Sequence, residues 1–149
     1  MVAKKNSTDL DFVRMYYLHQ YDRVEKNESQ RQTITNLVLS LSGLAFAFGF
    51  KDFVQPTIIT GVALPLLIIG ANLFALLYID RSVEFIDTHR KRAHEILLRY
   101  APELREIDEQ HKFKAGLQNS RKRIEKGIHQ LLILISLIPF GLYIYQTIL

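Results

Sequence analysis

The chain contains no cysteine. That excludes a disulfide scaffold, a thiolate nucleophile and a sulfur-ligated metal site. It has only four prolines and seven glycines in 149 residues, with no Gly-rich linker, no repeat and no low-complexity run. A phosphate-binding glycine loop, an HExxH pair and a Ser/His/Asp set around a nucleophile motif are all absent from the sequence. Charge is missing over long stretches as well. No Asp, Glu, Lys or Arg falls in the 19 positions between Arg31 and Lys51, the 27 between Asp52 and Asp80, or the 23 after Lys126. All 34 charged residues therefore crowd into the other 80 positions. A soluble helical domain would instead give each helix one apolar stripe and one charged face.

The three charge-free windows are long enough to cross a bilayer, which takes roughly 20 apolar residues. They predict spans over 33–50, 57–79 and 128–149. Burial inside a soluble core is the competing reading, but 80 polar-rich residues are too few to hide three such segments. The expected fold class is an all-α integral membrane protein, residues 1–149 forming one membrane domain, with three transmembrane helices extended by helical arms into a ring-forming oligomer. The first window follows about 30 charged and aromatic residues, unlike the early apolar core of a secretory signal, so it is expected to be retained.

Charge asymmetry predicts the orientation. Segment 1–31 carries six Lys/Arg and segment 80–129 twelve, so 18 of the 19 cations lie on one side if all three windows span. Basic loops favour the cytoplasmic face. An N-terminal cytoplasmic helix over 1–31 and a cytoplasmic hairpin over 80–127 follow, with a tight external turn at Lys51–Pro56 and the C-terminus outside. The net charge of +4 then reads as a topology and lipid-headgroup signal, and no nucleic-acid partner is expected.

The arms carry their own periodicity. Leu10, Val13, Tyr17, Tyr21 and Val24 form one apolar edge of an N-terminal helix that Ser7 or Thr8 can cap. Ile79, Val83, Ile86, Ala93, Leu97 and Tyr100 form a coiled-coil-like seam. Ala101-Pro102 interrupts it, and Glu103 is expected to start a second arm in which Phe113, Leu117, Ser120, Ile124 and Ile128 recur at heptad spacing. Tyr17, Tyr21, Arg90, Arg92 and Arg105 are candidate partner-binding residues on these arms.

Inside the spans, small and polar residues fall into stripes. Thr33, Asn36, Ser40, Gly43 and Ala47 share one face of the first; Gly61, Pro65, Asn72 and Ala75 mark the second; His129, Ser136, Pro139, Tyr143 and Gln146 the third. Such stripes either glue helices together or line a wet lumen. Thr33, Asn36, Ser40, Gly43, Ala47 and Asn72 are the candidate pore-lining or helix-interface residues. Apart from His129 at an edge, no ionisable residue falls inside a span, which argues against a proton-coupled transporter.

Catalysis finds little support, and no enzyme, cofactor or metal is expected. Certain ribonucleases of all-helical fold use Arg and His with four to six residues between them. Arg14–His19, Arg105–His111 and Arg123–His129 fit that spacing, but a chain this rich in both residues gives about one match by chance.

The segment Arg31-Gln-Thr-Ile-Thr-Asn-Leu-Val-Leu-Ser-Leu-Ser-Gly-Leu-Ala-Phe46 joins a charged helix to a polar-edged span, followed by a close second span and a helical insert. Over residues 10–100 this layout resembles small bacterial membrane effectors of phage defence, the SLATT-type and RipA-type octameric membrane proteins. The resemblance implies a homo-oligomer that breaches the inner membrane when a phage- or host-derived protein triggers it. The third span, at the end of the sequence, departs from the simplest two-span plan. A membrane-anchored adaptor or sensor, binding a partner through its arms, is the other expectation.

Overall fold

The computed structural model describes residues 7–49, 55–100 and 113–148, with side-chain surroundings over 10–49, 55–100 and 120–148. Arg105, His111 and the Ala101-Pro102 interruption lie outside the described residues. Among those described, all regular structure is helical: α1 (Ser7–Gly49), a π-turn (Ile59–Ala63) continuing into α2 (Leu64–Tyr100), and α3 (Phe113–Ile148).

Local chemistry accounts for the helix breaks. No proline falls within the 43 residues of α1, a helix of about 65 Å at 1.5 Å per residue. Thr57 and Thr60 close the start of the second helix reciprocally: Thr57 N–H donates to Thr60 Oγ1 at 3.0 Å, and Thr60 N–H to Thr57 Oγ1 at 3.3 Å. The π-turn lies just before Pro65. A proline ring collides with the carbonyl four residues back in a regular α-helix. Here the helix widens, and the Leu64 N–H reaches back five residues to the Ile59 carbonyl.

The chain divides into two compact units, Met1–Gln30 with Arg81–Asn119, and Arg31–Asp80 with Ser120–Leu149. The second holds all three charge-free windows. Its three helices are long and apolar enough to cross a membrane. Leu37, Leu44, Leu67, Leu77 and Leu134 are each more than half exposed. Apolar surface this extensive suits hydrocarbon and not water.

The first unit is the arm. Val24 of α1 and Ile86 and Ala93 of α2 are buried in it. Ser82 Oγ donates to Asn27 Oδ1, Arg90 Nη2 to Glu28 Oε1 at 2.8 Å, and His89 Nδ1 to Gln20 Oε1 at 2.5 Å. The seam expected from Ile79 to Tyr100 jumps seven residues between Ile86 and Ala93, and the buried His89 occupies that gap. Tyr100 is exposed, as are Leu10 and Tyr21 of the expected α1 edge. Gln20 takes the core position in α1 because His89 needs an acceptor there.

Candidate functional site: the polar faces of the spans

The polar stripes separate into two kinds. In the second helix Gly61, Pro65, Asn72 and Ala75 are all buried, and in the third His129 and Ser136 are buried with Pro139 and Tyr143 half-buried. These stripes meet each other inside the three-helix unit. Asn72 is the junction. Its Nδ2 donates to Ser42 Oγ at 2.9 Å and to the Ile68 carbonyl at 2.8 Å, while its Oδ1 accepts from His129 Nδ1 at 2.6 Å. One side chain thereby ties α1, α2 and α3 together. Ser136 Oγ donates to the Leu132 carbonyl at 2.7 Å and so satisfies itself within its own helix.

The α1 stripe behaves differently. Thr33, Asn36, Ser40, Gly43 and Ala47 are all exposed. The face of α1 turned into the unit carries Arg31, Thr35, Val38 and Ser42, all buried. At about 100° per residue, the two faces lie roughly 150° apart around the helix. A third face, with Leu37, Leu41, Leu44 and Phe48 exposed, is purely apolar. So α1 has one polar side against α2 and α3, one apolar side, and a second polar side that the chain's own spans leave uncovered.

Ion pairs gather where the spans meet charged sequence. Lys126 Nζ contacts both Asp80 oxygens, at 2.9 and 2.7 Å, and Lys122 Nζ lies 3.4 Å from Asp80 Oδ1. The Lys126 hydrogen bond leads the causes that hold the Asp80 carboxyl below the ordinary carboxylate value. Arg31 Nε lies 3.6 Å from Glu125 Oε2 with both side chains largely buried. Among the described residues of the heptad seam expected along the third helix, Ser120, Ile124 and Ile128 are exposed, and Glu125 and His129 turn inward instead; the side chains of Phe113 and Leu117 lie outside the described residues. The inward face is the one that can satisfy polar groups. Ile128, at the edge of the span, loses little by facing outward, whereas Glu125 and His129 find the Arg31 and Asn72 side chains on the inward face.

Beyond the Asn72 junction the interior becomes apolar. A cavity of about 220 Å³ lies between Ala45 and Phe46 of α1, Leu64 and Ile68 of α2, and Ile135 and Pro139 of α3.

Of the arm candidates, Tyr17 is half-buried and meets exposed Tyr21 in a tilted ring contact, centroids 5.0 Å apart. Arg90 is ion-paired with Glu28, and Arg92 is exposed. No group of three or more His, Cys, Asp or Glu able to hold a metal occurs among the described residues.

Sequence reasoning missed the interior face of α1. Thr35 and Ser42, seven apart, with Arg31 four residues before Thr35, carry its signal, but the adjacent Thr33–Ala47 stripe is longer and reads more strongly.

Comparison of the chain with protein-family models, with curated proteins and with solved structures finds no match.

Proposed function

We propose that the chain is the subunit of an oligomeric membrane pore, and that copies meet, or face a shared lumen, across Thr33, Asn36, Ser40, Gly43 and Ala47. The observation that carries this reading is the outward direction of that stripe. A polar side chain left in hydrocarbon without partners costs several kcal/mol. The interior polar groups are covered by α2 and α3, but Asn36 and Ser40 are turned away from both. Gly43 has nothing within 4 Å of a Cβ built on it, which leaves room for another helix to approach closely.

The resemblance of the sequence layout to phage-defence effectors motivates the biological setting: breach of the bacterial inner membrane on infection, of the abortive-infection kind. In that setting the N-terminus and residues 80–127 lie in the cytoplasm and the C-terminus outside. A pore of this kind must be silent until triggered, so its gating rests on a population shift that a phage- or host-derived protein drives. The arms are the surface such a trigger would reach, with Tyr17, Tyr21, Arg92 and Arg105 among its contacts.

The test is dye release from liposomes together with the mass of the detergent-solubilised particle. A multi-copy particle and leakage, both diminished in Asn36→Leu and Ser40→Leu, are expected. A monomer that never leaks overturns the proposal.

An adaptor role is favoured by a different observation. Phe12, Met15 and Tyr16 are exposed on one side of α1 in the arm, at the i, i+3, i+4 spacing of a helix-docking face. Under that reading the spans only anchor, and an unrelated membrane anchor should replace them without loss.

A further inference from the structure

Four buried side-chain atoms of the three-helix unit have no hydrogen-bond partner among the described residues: Arg31 Nε, Arg31 Nη1, Glu125 Oε2 and His129 Nε2. Arg31 is 3% exposed and His129 0%. Arg31 Nε and Glu125 Oε2 face each other at 3.6 Å, an ion-pair distance too long for a hydrogen bond. The other carboxylate oxygen of Glu125 is engaged by Arg121 Nε at 3.1 Å. His129 gives its Nδ1–H to Asn72, so Nε2 of the neutral ring is an acceptor. Glu125 lies four residues before His129, on the same face of α3.

The unpaired set is two donor nitrogens, Arg31 Nε with one N–H and Nη1 with two, and two acceptors. That balance identifies what fits. An anion would satisfy the Arg31 donors and be repelled by Glu125. A cation would satisfy Glu125 and His129 and be repelled by Arg31. A water molecule brings two protons and two lone pairs and conflicts with none of the four. The site is also polar enough to keep water: Asn72 and Ser42 continue it inward.

We propose that Arg31, Glu125 and His129 hold bound water inside the three-span unit, bridging the Arg31 guanidinium to the Glu125 carboxylate and His129 Nε2. The site is independent of whether copies assemble into a pore. Its consequence is a wet inlet in the bundle. The three holders stand at the ends of the first and third spans, so the water lies at the rim of the hydrocarbon zone, and the bond from His129 to Asn72 closes the site towards the interior. Past Asn72 the apolar cavity begins, and the inlet ends there.

The test uses the full chain in liposomes, labelled with ¹⁵N-histidine and read by solid-state NMR, with His129→Gln identifying the His129 signals. Magnetisation transfer from water protons to His129 Nε2 is expected, with the ring in the Nδ1–H form near neutral pH. A dry Nε2, or a ring in the Nε2–H form bonded to protein, overturns the proposal. Arg31→Leu/Glu125→Leu removes both buried charges at once, so neither is stranded, and this variant should lose the water transfer. Retention of full transfer there would overturn the assignment of Arg31 and Glu125 as its holders.

Discussion

Gly61 lies so close beneath Tyr143 that a Cβ added to the glycine would sit 2.6 Å from the tyrosine Cβ. The obstacle is the root of the Tyr143 side chain, which cannot swing aside as a flexible tip could. Gly61 is thus the point at which α3 approaches the π-turn before α2. Gly61→Ala should destabilise the three-helix unit by about 1–3 kcal/mol through overpacking, seen as a lower unfolding midpoint in detergent. Gly70→Ala is the control: nothing lies within 4 Å of its Cβ position. That substitution should be neutral or stabilising by about 0.5–1 kcal/mol, since alanine suits a helix interior better.

Asn72 satisfies three partners at once, so its loss is felt by more than one helix. Hydrogen bonds between membrane helices average only about 0.6 kcal/mol each. Stranding a buried donor or acceptor costs more, about 1–3 kcal/mol. The second effect should dominate in Asn72→Leu, which leaves the His129 Nδ1–H and Ser42 Oγ without this partner. A double-mutant cycle with Ser42→Ala should give a coupling of at least about 0.5 kcal/mol. Strict additivity in reversible unfolding would show that the Asn72–Ser42 bond contributes nothing.

These two sites show what the residues alone disclose. The three charge-free windows locate the spans because hydrocarbon excludes charge regardless of how helices pack. The stripes through Gly61 and Asn72 and through His129 and Ser136 are legible for the same reason: a small or polar residue inside a span must face something other than lipid. Facing is harder to read. Thr35–Ser42 and Thr33–Ala47 are both acceptable inward faces for α1, and only the partners supplied by Asn72 and Glu125 decide between them. The third helix misleads because the heptad spacing of Ile124 and Ile128 signals packing, while the inward face is taken by Glu125 and His129, whose partners Arg31 and Asn72 lie on other helices. In the arm, Gln20 and His89 look like surface polars. Each becomes a core residue only because the other satisfies it across 69 positions of sequence.

His89 should make the arm acid-sensitive. Burial of the ring, followed by repulsion from the neighbouring Arg23 and Arg92 guanidiniums, lowers its pKa below the ordinary histidine value of 6.5. The fold therefore favours the neutral ring. Stability from this group is fully present above about pH 6.5 and is lost as pH falls below it towards the depressed folded value. Amide protection factors in the arm segments 10–30 and 81–100, taken against the intrinsic exchange rate at each pH, should fall on acidification across that window. His89→Gln should flatten the response. Asp80 acts in the same direction at lower pH, where its protonation releases Lys126, but that pair is about half-exposed on the carboxylate side and its share is correspondingly small.

The uncovered face of α1 makes the sharpest demand, and the lack of native cysteine makes it simple to examine. Single cysteines at Asn36, Ser40 and Gly43 fall on the outward polar face, at Leu41 and Leu44 on the apolar face, and at Ser42 on the face covered by Asn72. If copies meet across the polar stripe, mild oxidation in membranes should link Ser40→Cys and Gly43→Cys into dimers within minutes. Leu41→Cys and Leu44→Cys should link at least about tenfold more slowly, because disulfides need Cα atoms within roughly 7 Å. Ser42→Cys should stay reduced in every case. If the stripe instead faces a water-filled lumen, Ser40→Cys should link poorly but react readily with a charged thiol reagent, and Leu41→Cys should not. Uniform behaviour at 40, 41 and 44 under both treatments would leave the stripe in lipid. The energetic case against a lone Asn36 there would then be wrong, and the pore reading would go with it.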